Sequence, residues 1–122
     1  MTPEHEALAR RAVACPRWRW MPGMLVNSAG YVYRMTSESI ADGCGAVDWQ
    51  QKWMRPDLTD PATLGCLLAL VREAWSEPIL SVAWAGGRWY VVQRILRSVD
   101  ALRWIDTATE VDALVAALEA AP

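Results

Sequence analysis

The chain has 122 residues, of which 53% are apolar and 21% charged, with a net charge of −2. That length is one ordinary domain that buries roughly two-thirds of its surface, and the composition excludes an intrinsically disordered chain. The acidic balance gives no global basic field for nucleic acid or anionic lipid, and the longest apolar run, Leu64 to Val71, is too short for a membrane span.

The first expected element is a helix from Thr2 and Pro3. Thr2 can cap it, Pro3 suits the first turn, and Glu4 and Glu6 oppose the positive end of the dipole. Leu8, Ala12 and Cys15 form a narrow apolar stripe, and Pro16 ends the segment. Arg17-Trp18-Arg19-Trp20 then alternates as a strand would, with both indoles on one face and both guanidiniums on the other. Met24–Asn27 and Tyr31–Thr36 flank Ser28-Ala29-Gly30, which suits a three-residue hairpin loop with a bulge.

Residues 37–56 show no sustained period and read as a long, partly ordered, mobile excursion, with Trp49 and Trp53 at helical spacing near its end. Asp60-Pro61 is a strong helix start. The helix is expected over Pro61–Ser76, with Leu64, Leu67, Leu68, Val71 and Trp75 as its apolar stripe and Pro78 as its stop. Ile79–Trp84 and Trp89–Leu96 are expected as antiparallel strands joined at Ala85-Gly86-Gly87-Arg88, and a further short strand near Ala101–Ile105. Thr107-Ala108-Thr109-Glu110 has capping-box spacing and opens a last helix carrying Val111, Leu114, Val115 and Leu118. Leu68 and Leu114 are both expected to be buried. The sum is a single α+β domain over residues 1–122, with an antiparallel sheet of about four to five strands packed with three helices as an αβα-type sandwich.

Three segments add a resemblance: Trp18 to Met24, Asp57 to Trp75 (DLTDPATLGCLLALVREAW) and Thr109 to Ala121 (TEVDALVAALEAA). Together they resemble a group of small uncharacterised proteins of tailed phages and prophages, and the order of elements is similar to the phage αβα-sandwich domains. These segments cover 39 of the 122 residues. The resemblance implies a phage or prophage origin, hence a bacterial host cell, and transfers no activity and no site residue. Glu4, His5 and Glu6 stand where a secretion signal would be basic and then apolar, so the expected location is the host cytoplasm.

Catalytic sets are hard to assemble. His5 is the only histidine, and Cys15, Cys44 and Cys66 match no zinc-ligand spacing. Cys66 reads as a small buried hydrophobe within its helix. The paired carboxylates serve as caps or helix surface, and neither Gly86-Gly87 nor Gly43-Cys44-Gly45 has phosphate-loop spacing. The chain is therefore expected to be no enzyme and to need no cofactor or metal.

The informative oddity is eight Trp with no Phe. The first role of the indoles is to replace Phe as core and boundary filler, Trp inward and Arg outward. Eight exceed what a core of this size needs, however, and indoles left at a rim favour contact with another surface. Arg17, Trp18, Arg19, Trp20, Arg88, Trp89, Arg94 and Trp104 are the candidate interaction surface. The expected function is a non-catalytic protein-interaction domain whose partner is another protein or a second copy of itself as a homodimer. The alternative is a single-stranded nucleic-acid-binding module in which indoles stack on bases and guanidiniums meet phosphate. No membrane partner is expected.

Overall fold

The computed structural model describes residues 2–38, 53–92, 106–107 and 109–122. The elements among them are α1 (Pro3–Ala14), β1 (Leu25–Ser28), β2 (Tyr31–Arg34), β3 (Met54–Pro56), α2 (Pro61–Ala74), β4 (Ser81–Ala85), β5 (Arg88–Val92), β6 (Asp106–Thr107) and α3 (Glu110–Ala120). The class is mixed α+β. The strands among the described residues are antiparallel and form two three-stranded sheets, ordered β2-β1-β3 and β4-β5-β6. Each central strand has both edges occupied, β1 by β2 and β3, β5 by β4 and β6. The chain divides into two compact units, Met1–Cys66 and Leu67–Pro122, with the boundary inside α2.

In the first unit, α1 starts as its sequence dictates. Thr2 Oγ1 accepts from the His5 N–H at 3.2 Å, and Pro3 sits in the first turn. The helix stops at Ala14, where extended Cys15 donates its N–H back to Ala12 at 3.1 Å. Its buried residues, Ala9 and Ala12, are small, and the helix lies against β3. The run Arg17–Trp20 forms no strand. Its alternation is overridden because the Trp18 N–H turns back to the Cys15 carbonyl at 3.0 Å.

The β1–β2 loop is tighter than its composition suggests. Ser28 pairs directly with Tyr31, leaving a two-residue turn of Ala29 (φ 50°) and Gly30 (φ 90°) in place of the expected three-residue loop. Two successive left-handed residues give the turn a twist that matches the strands. The ladder continues past β1 and β2 through Met24 and Met35, where the Met35 N–H meets the Met24 carbonyl at 2.8 Å. Residues 39–52 of the expected excursion lie outside the described residues, but its last three residues are β3 and pair with β1. Val26, Met54 and Pro56 are buried on one face of this sheet, joined in the core by Met24, Met35 and Leu58.

The path from β3 to α2 is fixed by two aspartates. The Asp57 N–H extends the ladder to the Leu25 carbonyl at 2.9 Å, while its carboxylate accepts from the Thr59 N–H and hydroxyl at 3.0 and 2.6 Å. Asp60 then caps α2 as expected, with Oδ2 accepting from the Thr63 N–H and from the Thr63 hydroxyl, both at 3.0 Å.

In the second unit, the buried stripe of α2 runs through Leu67, Leu70, Val71 and Ala74. Leu68 is half-buried, against expectation. The buried face follows Thr63, which is wholly enclosed at the start of the helix, so Leu67 and Leu70 turn inward and Leu68 toward the edge. The helix ends at Ala74, two residues short of the expected Ser76. Ser76 adopts φ 52°, its N–H bonds to the Glu73 carbonyl, and the Glu77 N–H bonds to the Arg72 carbonyl at 2.9 Å. This is a Schellman stop made before Pro78 is reached.

The second hairpin is antiparallel as expected, with Gly86 (φ 58°) and Gly87 (φ 81°) at its turn and Ala85 opposite Arg88. Residues 93–105 lie outside the described residues, among them the continuation of the strand to Leu96 and the strand expected near Ala101–Ile105. The observed third strand is β6, beside β5. Because Thr107 belongs to β6, the cap of α3 is Thr109, which accepts from the Asp112 N–H at 3.1 Å. Ala113, Leu114, Val115, Ala117 and Leu118 are buried on α3, which packs against β4, β5 and β6.

The phase of α2 is directly testable. Leu67→Ala and Leu114→Ala should each cost about 2–5 kcal/mol, the range for a cavity left in a packed core. Leu68→Ala should cost less than half as much, as read by urea unfolding.

Candidate interaction surface

None of the six described tryptophans belongs to the buried core. The interior is filled by Met, Leu, Val and Ala side chains instead, with Met24, Met35 and Met54 among the largest enclosed ones. The expected role as core filler therefore fails for these six, whereas Trp18, Trp20, Trp75 and Trp89 are half-buried at the boundary, as the other part of that expectation has it, and Trp53 and Trp84 are exposed. An unbranched thioether fits an irregular small core and carries no N–H donor that needs a partner, whereas an indole does. Trp75 shows how the requirement is met. It is half-buried, and its Nε1–H donates to the Ala117 carbonyl at 2.8 Å.

Four of the sequence-predicted residues sit together in the first unit. Trp18 and Trp20 are half-buried and meet edge to face, with centroids 5.3 Å apart and planes at 89°. Arg17 and Arg19 are exposed on either side of Trp18. The Trp18 Nε1–H is shielded from solvent and has no hydrogen-bond partner among the described residues.

Two more belong to the second unit. Arg88 is exposed and Trp89 half-buried at the start of β5. Trp89 stands directly opposite Trp84, a residue outside the predicted set, and their rings meet at 5.5 Å and 62°. Trp84 is 57% exposed. The signal for this pair was present in Trp84-Ala-Gly-Gly-Arg-Trp89, because a two-residue turn at the glycines puts the flanking indoles across from each other. Trp53, at 58% exposure just before β3, was likewise missed. Arg94 and Trp104 lie outside the described residues.

The carboxylates of the described residues are spread over both units. No group of three or more His, Cys, Asp or Glu among the described residues could hold a metal ion. Cys15 is buried, with its thiol donating to the Arg11 carbonyl at 3.3 Å. Cys66 is half-buried rather than enclosed, and its thiol points to the Pro22 carbonyl at 3.6 Å. Burial pushes the Cys66 thiol up, with the Asp60 carboxylate adding to the shift, so the less nucleophilic thiol form is favoured. Cys44 lies outside the described residues. Among the described residues, no helix is long and apolar enough to cross a membrane.

The cross-strand indole pair has a measurable energetic signature. A double-mutant cycle of Trp84→Ala and Trp89→Ala should return a coupling of about 0.5–1.5 kcal/mol, the value of an edge-to-face aromatic contact. Compared with protein-family models, curated proteins and solved structures, the chain matches none of them.

Proposed function

We propose that this chain is a non-catalytic protein-interaction domain of the phage or prophage accessory kind, acting in the host cytoplasm, and that it associates with a second copy of itself. The observation that carries this reading is Trp84, more than half exposed and braced by Trp89 across the hairpin. A large rigid indole held in place and left in contact with water loses little conformational entropy on docking and gains much buried area. β4, which carries it, is an edge strand of its sheet among the described residues. The αβα-sandwich layering implied by the phage resemblance belongs to the same proposal.

A second reading, a single-stranded nucleic-acid module, draws on exposed Arg88 beside the Trp84–Trp89 pair and on Arg17 and Arg19 beside Trp18 and Trp20. Indole faces stack on bases of any sequence, and neighbouring guanidiniums meet phosphate. The acidic net charge weighs against it.

Sedimentation over a wide concentration range separates the readings. Self-association should appear, and Trp84→Ala should weaken it by at least about tenfold, as removal of an interface anchor does. A wild-type chain that stays monomeric throughout contradicts the homodimer. Binding to mixed-sequence oligonucleotides that weakens steeply with added salt supports the second reading in its place.

A further inference from the structure

A groove of about 510 Å³ opens in the first unit, walled by Glu6 and Arg10 of α1, Asn27 of β1, Gly30 of the turn, Trp53, and Arg55 of β3. The volume falls within the range of about 300–1,000 Å³ typical of small-molecule clefts. Its contents come from register and helical spacing. Asn27 and Arg55 are direct cross-strand partners, so their side chains leave the same face of the sheet as neighbours. Glu6 and Arg10 are one helical turn apart and bond at 2.7 Å. Trp53 precedes Arg55 by two residues and offers a largely exposed ring. At Gly30 an added Cβ would meet nothing within 4 Å, so that rim is open.

Arg55 is the unsatisfied member. Its Nη1–H donates to the neighbouring Met54 carbonyl at 2.8 Å, while its Nε–H is shielded from water and has no acceptor among the described residues. The guanidinium has no carboxylate partner among the described residues. A half-buried cation without a counter-ion is costly, and an anion entering the groove lowers that cost. Arg10 is already paired with Glu6, so the two guanidiniums and one carboxylate leave a surplus of one positive charge. That balance favours a monoanion, because Glu6 repels a second negative charge.

From this we propose that the groove is a binding site for a planar aromatic monocarboxylate. The carboxylate meets the Arg55 guanidinium, with Asn27 as a further polar contact, and the ring lies against Trp53. The site uses none of the residues of the Trp84–Trp89 pair, so it stands or fails independently of the proposed dimer.

The test is a titration of the full chain with benzoate, followed by the indole and guanidinium N–H resonances in nitrogen–proton NMR. Benzamide and phenyl phosphate are run in parallel. Benzoate should shift the Trp53 and Arg55 resonances to saturation, benzamide should bind at least about tenfold more weakly, and phenyl phosphate no more tightly than benzoate. Arg55→Gln should weaken benzoate by at least about tenfold, whereas Glu6→Gln should tighten it by about threefold by removing the repelling charge. Trp84→Ala should leave it unchanged. Absence of saturable benzoate binding, equal binding of benzamide, or tighter binding of phenyl phosphate overturns the proposal. Should Arg55→Gln fail to fold, Glu6→Gln decides the matter: tightening supports the site, and unchanged or weakened affinity overturns it.

Discussion

The Asp60 carboxylate serves three partners at once. One oxygen accepts from the Thr63 N–H and hydroxyl, which begins α2. The two oxygens together accept a forked pair of bonds from Arg34 at 2.8 and 3.0 Å, and Arg34 also donates to the Gly23 carbonyl at 2.7 Å. Thr63, wholly enclosed, accepts the Leu25 N–H at 2.8 Å with the same hydroxyl that donates to Asp60. A local helix cap thus becomes a tertiary lock, because β1, the end of β2 and the start of α2 all converge on one carboxylate and one hydroxyl. Thr63 lies on the same face of α2 as buried Leu67, Leu70 and Val71. Arg34, and the backbone and hydroxyl of Thr63, hold the carboxyl well below the usual carboxylate range. Half-exposed Arg34 is screened by water, so orientation and capping weigh more in this cluster than raw Coulomb energy.

The second organising fact is the division of labour between methionine and tryptophan. Three methionines fill the first unit's interior alongside Val26 and Leu58, while the described indoles stay at the boundary or beyond it. An indole N–H must be bonded or wet, and a core of this size has few free carbonyls to offer. Trp75 finds one in Ala117, and Trp84 and Trp89 brace each other across a hairpin. Rigid aromatic surface left by this economy is the material from which interfaces are made.

Features written in short-range chemistry were legible in the sequence. The Thr2 and Asp60 caps, the Gly86-Gly87 turn and the order of the three helices each depend on residues within a few positions of one another. Features decided across the fold were not. Three residues of β3 have no period to detect, and they become a strand because β1 offers a free edge. Arg17–Trp20 has a strand's alternation, but the Trp18 N–H is taken by the Cys15 carbonyl in a turn. The Ala29-Gly30 turn places a non-glycine in the left-handed region, which the flanking ladder enforces and composition does not announce. For the candidate surface, the Arg-Trp clusters were visible as clusters. Which indoles face water followed from burial, and Trp53 and Trp84 emerged only there.

The most direct test of the Asp60 lock is unfolding free energy against pH for the wild type and Asp60→Asn, since Asn keeps the cap acceptor while losing the charge. The folded carboxyl is depressed, so its contribution is complete above the unfolded value of about 3.9 and is lost as pH falls through and below that value. The remaining carboxylates titrate in both proteins, and the difference between the two curves isolates Asp60. The account predicts that the wild-type advantage is constant near neutral pH and shrinks steadily as the solution is acidified below about pH 4. Two curves separated by the same amount at every pH would contradict it.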